Sequence, residues 1–476
     1  MIFNSVVFAI FYIIVTALYF ILDHKYRWIL LLAASCYFYM AFVPVYILIL
    51  GFTIVIDYYA GIYLEKTLDP KKRKQLLLCS LAANIGVLVF FKYYNFLNTN
   101  LSILFNNFNA HNPLPYLTIL LPIGLSFHTF QAMSYTIEVY RGNQKSEKHF
   151  GIYSLYVMFY PQLVAGPIER PQNILHQMHE KHEFDYGNMV DGLKQMLWGF
   201  FKKLVVADRL SIYVSSIFDH AEVHNGSSIA IACFFFSIQI YCDFSGYSDI
   251  AIGSAKTMGF DLMTNFRRPY FAKSINEFWS RWHISLSTWF RDYLYIPLGG
   301  NRVPQLTLYR NLFIVFLISG IWHGANYTFI IWGALHAFFT IIGVIITPYT
   351  KDLHLKLHVN KKITDLARQL FIIVLVTFAW IFFRATSMEN AFTIIKNLKS
   401  IGQHPFLGDS ISNFGHCLLA ISLLLIIEYK KEYLPSKYNF FQHPNIFVRW
   451  GSLISMLALI LIFGVFNGGQ FIYFQF

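Results

Sequence analysis

Apolar runs of about 20 residues, the length a helix needs to cross a hydrocarbon core, recur from the first residues of this chain to the last. Lipid offers no partner to a freed backbone amide, so each such run must satisfy its hydrogen bonds internally, as a helix. The expected fold is therefore an all-α polytopic membrane protein. Composition agrees: 56% of the 476 residues are hydrophobic and 13% charged, whereas a soluble globular chain carries about a quarter charged residues. One membrane domain over residues 1–466 is expected, with residues 467–476 as a short C-terminal tail.

The formal charge of +12 invites a nucleic-acid reading, but the positive residues sit in short links between apolar runs, where cytoplasmic loops collect Lys and Arg. Spans are expected near residues 4–22, 28–43, 46–64, 75–96 and 116–139. The first resembles a signal peptide in length, yet Lys25 and Arg27 follow it and no small-residue cleavage site intervenes, so it reads as a retained span. Basic loops hold Lys25 and Arg27, then Lys66 and residues 71–74, then Arg141, Lys145 and Lys148, and they alternate with neutral ones. The positive-inside rule then puts the N-terminus outside. Applied backwards from Lys430, Lys431 and Lys437, the same rule puts the C-terminal tail outside. A further inside loop, with Lys351, Lys356, Lys361 and Lys362, sets a span near 326–347 running inward, which puts His323, just before it, in the outer half of the membrane. The five cysteines, at 36, 79, 233, 242 and 417, form no CxxC pair and lie in or beside apolar runs, which suits packing better than disulfides or metal.

Residues 151–305 are different, because Gly-Pro, Lys-Lys and Arg-Arg pairs interrupt their apolar stretches. Broken or re-entrant backbone at membrane depth is tolerated where it is buried in protein or lines a wet cavity, so a site is expected in that region. Its most unusual stretch runs from Arg267 to Arg302 and packs six basic residues and many aromatics around His283. An amphipathic surface helix would use such arginines against headgroups and such tryptophans in the interface belt. His283 is harder to explain that way. It follows Trp279, Arg281 and Trp282 in a helix-compatible run, and ionisable side chains at membrane depth are rare and usually functional.

The second constellation is SGIWHGANYTFIIWGALHA, in which His323 is flanked by Gly320, Gly324 and Ala325, small neighbours that leave room for a ligand. A neutral imidazole suits general-base removal of a proton from a hydroxyl attacking an acyl carbonyl, and His323 is the first choice for it. His336 lies thirteen residues on, more than three helical turns, and reads as structural unless the helix breaks. No HExxH or comparable carboxylate and cysteine spacing surrounds these histidines, so no metal is expected. At the end of the chain, Gly468-Gly469-Gln470 leads into FIYFQF. Read from residues alone, Phe471, Tyr473, Phe474 and Phe476 fit an aromatic anchor at the outer interface.

Five blocks in order, LPIGLSFHTFQAMSYTIEVYRG (121–142), VAGPIERP (164–171), DFSGYSDIAIG (243–253), NEFWSRWHISLSTWFRDYLYIPLGGNR (276–302) and SGIWHGANYTFIIWGALH (319–336), resemble the membrane-bound O-acyltransferase (MBOAT) family. The likeness is to its bacterial alginate and peptidoglycan O-acetyltransferase branch. One departure is His128, where the family block usually has another aromatic; it reads as a packing variant. The resemblance implies a bundle of about eleven transmembrane helices, with re-entrant or horizontal helices around a central tunnel, in a bacterial cytoplasmic membrane. It implies His323 as catalytic, His283 in the same pore, and Tyr473 as an acyl-accepting tyrosine. Trp279, Arg281, Trp282, Trp322 and Asn326 fall in the same blocks as candidates for binding substrate or donor. The implied donor is acetyl-CoA, with no tightly bound cofactor. The implied partner is an extracytoplasmic SGNH-type (Ser-His-Asp) acyltransferase that meets the polysaccharide. D-alanyl transfer to teichoic acid is the nearest enzymatic alternative, and a polytopic transporter the rival from another class, though no repeated halves support it.

Overall fold

The computed structural model describes every residue except 119–121, 123, 164–165, 351–358, 403, 409, 435–439, 467–471 and 473–476. The described residues are helical or irregular throughout, apart from an isolated bridge at Ile401. Helices α1 to α10 are Val6–Ile21, His24–Met40, Ile47–Lys66, Pro70–Asn107, Leu125–Arg141, Phe150–Met158, Pro171–His179, Tyr186–Phe200, Asp208–Phe218 and Gly226–Thr257. Helices α11 to α18 are Ile275–Arg281, Ile284–Phe290, Gln305–His323, Tyr327–Thr350, Lys361–Arg384, Met388–Asn397, Ile411–Tyr433 and Ile446–Phe463.

Local chemistry sets the ends of several of these helices. Asp69 caps α4 by accepting from Lys71 N, with Pro70 in the first turn, where its missing N–H costs nothing. Ser274 caps α11 through Glu277 N while the Glu277 carboxylate accepts from Lys273 N, a reciprocal arrangement encoded in the run SINE.

Among the described residues, eight helices are long and apolar enough to cross a membrane, against the eleven or so expected: α3 with its leading turn (Pro44–Lys66), α4, α10, α13, α14, α15, α17 and α18; α1 is a shorter apolar helix. The span expected at 116–139 begins as a helix only at Leu125, and α5 is lined by buried polar residues such as Gln131, Ser134 and Thr136. The interrupted middle resolves into short helices α6 to α9, α11 and α12 and the unbroken 32-residue α10, with two π-helical turns, Phe201–Ala207 and Arg291–Tyr295.

The chain divides into two compact units, one of residues 1–196 and 248–263, the other of 197–247 and 264–476. In the first, α3, α4 and α5 meet around Asp57, whose carboxylate accepts from Ser80 Oγ at 2.5 Å and Asn84 Nδ2 at 2.9 Å. His128 is buried there, with Nδ1 3.2 Å from Val157 O and its ring edge-on to Tyr39, as a packing residue would be. The second unit holds His283 and His323.

Candidate active site

His323 is the last residue of α13, and Gly324, with extended backbone, ends the helix. Three residues later α14 begins, so the two helices form a tight hairpin. The hairpin closes because of Gly320 and Gly333. A Cβ on Gly320 would stand 2.4 Å from Phe329 O, and one on Gly333 would stand 2.5 Å from Phe316 O. Gly324 is likewise filled, since a Cβ there would lie 2.1 Å from the Phe329 ring. The small residues beside His323 therefore serve close helix packing and not, as the sequence suggested, ligand space.

The His323 imidazole is buried at 6% exposure among aromatic faces. Trp322 lies 4.8 Å away between ring centroids, Trp332 4.9 Å and Phe383 5.3 Å. Trp332 in turn meets His336 at 4.9 Å, and Trp279 meets His336 at the same separation. The helix break after His323 thus returns His336 to the same cluster. Sequence spacing along one helix hid this; the signal that could have revealed it is the GAN turn between the two histidines. Both His336 nitrogens and the indole Nε1 of Trp279 and Trp332 are buried without a hydrogen-bond partner among the described residues. Buried polar atoms are rarely left unmatched. Such an arrangement can offer hydrogen bonds to a polar guest such as an acyl carbonyl.

His283 is held otherwise. Helix α11 stops at Arg281, Trp282 turns extended, and His283 takes φ 43°, ψ 56°, before α12 starts at Ile284. The helix-compatible reading of this run fails at that residue. A left-handed conformation is uncommon for a non-glycine residue and costs on the order of 1–3 kcal/mol. Asn265 compensates: its Oδ1 lies 3.1 Å from His283 Nδ1 and accepts from Ser285 Oγ at 3.0 Å, while its backbone O accepts from Ile284 N. Phe244 stands edge-on to the imidazole at 4.5 Å. Asn265, eighteen residues upstream, carried no motif signal of its own.

An aromatic path joins the two histidines. Trp282, next to His283, packs on Trp380 at 5.1 Å; Trp380 stacks on Trp332 at 5.8 Å, and Trp332 touches His323. Among the candidates taken from the sequence, Trp279, Trp282 and Trp322 line this cluster. Arg281 and Asn326 are engaged elsewhere. The Arg281 guanidinium donates to Glu277 and Glu432, at 2.7 and 2.8 Å. Asn326 donates to Thr386 O and its Oδ1 caps α14 through Thr328 N. Tyr473 lies outside the described residues, but its neighbour Ile472 is described and buried, and Ile472 N donates to Asp243 Oδ2 at 2.8 Å. Among the described residues no three His, Cys, Asp or Glu side chains gather as a metal site would require.

Residues 144–388 match the family described as MBOAT, membrane-bound O-acyltransferase. The chain is 36% identical over 405 residues to the probable alginate O-acetylase AlgI of Pseudomonas aeruginosa, covering 84% of this chain and 75% of that protein. It is 34% identical over 394 residues to the peptidoglycan O-acetyltransferase of Helicobacter pylori, covering 77% and 73% respectively. A more distant likeness, 26% over 226 residues, is to the teichoic acid D-alanyltransferase of Bacillus subtilis, covering 45% of this chain and 57% of that protein.

Proposed function

The chain belongs to the membrane-bound O-acyltransferase family, and from that premise we propose that this multi-pass membrane O-acetyltransferase takes acetyl from cytoplasmic acetyl-CoA. The group is then handed through a C-terminal acyl-tyrosine to a partner that esterifies an envelope polysaccharide. The observation that supports this most is the setting of His323: an imidazole at a helix end, buried among aromatics, beside buried polar atoms left without partners.

In this reading His323 takes the proton from the Tyr473 hydroxyl as the phenolic oxygen attacks the thioester carbonyl. The carbon–sulfur bond breaks, the thiolate leaves as CoA and collects the proton from the imidazolium, and an aryl acetate remains on Tyr473. A phenol ionises near pH 10, so a base is needed at neutral pH, and an aryl ester is a better acyl donor than an alkyl ester. His283, fixed by Asn265, orients the reacting groups. Basic residues of the 267–302 stretch meet the CoA phosphates, for which Arg is suited. The tail faces outward, where an SGNH-type partner's serine takes the acetyl. Only the acyl group has to cross the membrane.

Transfer of D-alanine from a carrier-protein thioester is the second reading. The stronger likeness to the two O-acetylating relatives and the tail fused to the enzyme favour acetyl. Mass spectrometry of the C-terminal peptide after incubation with acetyl-CoA is the test. An acetyl ester on Tyr473, absent from the Tyr473→Phe protein, is expected; full polymer acetylation by Tyr473→Phe would replace the relay with direct transfer from CoA.

A further inference from the structure

Deep in the second unit, Lys203 lies in the π-helical turn Phe201–Ala207 with its side chain almost wholly buried between two buried carboxylates. Its Nζ is 2.7 Å from Asp208 Oδ1 and 2.7 Å from Asp243 Oδ1. The close approach of α10 makes this possible: Gly246, one turn beyond Asp243, would bring a Cβ to 2.9 Å from Gly199 O and 3.1 Å from Lys203 N. A buried ion pair is poor evidence of a stability role, since desolvation offsets most of its attraction. π-Helical turns inside helices gather at functional sites. Here one lysine faces two acids. The second Asp208 oxygen, Oδ2, is buried and has no hydrogen-bond partner among the described residues.

The second oxygen of Asp243 is the one that receives Ile472 N–H, from a residue 229 positions away in the chain. The start of the same tail is fastened nearby in sequence terms: Val465 N donates to Leu204 O at 3.0 Å and Arg209 donates to Phe463 O at 2.6 Å. Leu204 directly follows Lys203, and Phe244, directly after Asp243, packs edge-on against His283. An aromatic interface anchor would have no use for a hydrogen bond to a buried carboxylate.

We propose that Asp243, oriented by Lys203, is a positioning residue that docks the C-terminal tail through the Ile472 amide and so presents the next residue, Tyr473, to the histidine site. The proposal rests on the relay reading only for its last clause; the docking itself can be tested without it.

Replacing Asp243 would strand the Lys203 charge and could unfold the protein, so the decisive variant is Ile472→Pro, which removes the donor N–H and leaves the ion pair intact. Ile472→Ala, which keeps the N–H, is its control. Two readouts are taken on the purified full-length protein: the rate at which carboxypeptidase releases residues 474–476, none of which is bonded to position 472, and the kcat and KM for acetyl transfer from acetyl-CoA. Docking predicts digestion at least tenfold faster for Ile472→Pro than for Ile472→Ala, with kcat at least tenfold lower and KM for acetyl-CoA unchanged. Equal digestion of the two variants would overturn the docking. Faster digestion with undiminished kcat would uphold the docking and overturn the relay, an outcome that an active Tyr473→Phe enzyme would confirm separately.

Discussion

At the α11–α12 break, His283 is fixed by polar partners on a strained backbone, whereas at the α13–α14 hairpin His323 sits at a relaxed helix end, walled by rings. The two imidazoles belong to one aromatic cluster, yet they are built for different work. A ring tied to an amide oxygen has a fixed orientation and one nitrogen already engaged; it suits holding a partner in place. A ring walled by indole and phenyl faces is the one to which the proposed mechanism gives the taking and returning of a proton. The proposed mechanism thus assigns proton transfer and orientation to separate segments of chain.

The sharpest way to break this division is His323→Ala. Loss of a positioned general base should lower acetyl transfer by about three orders of magnitude, with the protein still folded and inserted; near wild-type acetylation in membranes carrying the variant would remove His323 from the proton-transfer role. At position 283 the expected loss is smaller, about a hundredfold, the scale of a misplaced reacting group. His283→Asn is the informative substitution, because asparagine tolerates the left-handed backbone that alanine would strain. Equal and total loss at both histidines would erase the distinction between them.

The hairpin is probed by Gly320→Ala, whose added methyl meets the Phe329 carbonyl. Overpacking of this kind costs about 1–3 kcal/mol, which thermal unfolding in detergent should register as a lowered midpoint, and an unchanged midpoint would contradict the close backbone approach. The smallest effect is expected from Asn265→Ala. Of the hydrogen bonds to Oδ1 that this removes, the one to His283, of about 1 kcal/mol, should reduce turnover roughly fivefold to tenfold. If His283 is merely structural, Asn265→Ala will alter stability and leave kcat untouched.

The membrane character and the ordered family blocks were legible in the sequence, because hydropathy and residue identity carry them directly. What could not be read was set by packing across long separations. The left-handed turn at His283 arises from Asn265 and Phe244, which no periodicity links to it. The glycines of α13 and α14 looked like space beside a ligand, and only the facing carbonyls of Phe329 and Phe316 reveal them as a seam. His336 seemed thirteen residues too far away until the chain reversed. The span expected at 116–139 misjudges where α5 starts, since burial in protein and burial in lipid look alike to a hydropathy count.

The bond from Val465 to Leu204 turns the C-terminal tail into a leash of fixed length. Eight residues separate Val465 from Tyr473, and a fully extended chain covers at most about 3.5 Å per residue, so the tyrosine can travel no more than roughly 28 Å from that fastening. Under the proposed relay, that limit keeps the hydroxyl at a high effective concentration for its own enzyme. The same relay requires a second protein collecting the acetyl to bring its nucleophile inside that radius, and any linker inserted after Val465 should relax that demand.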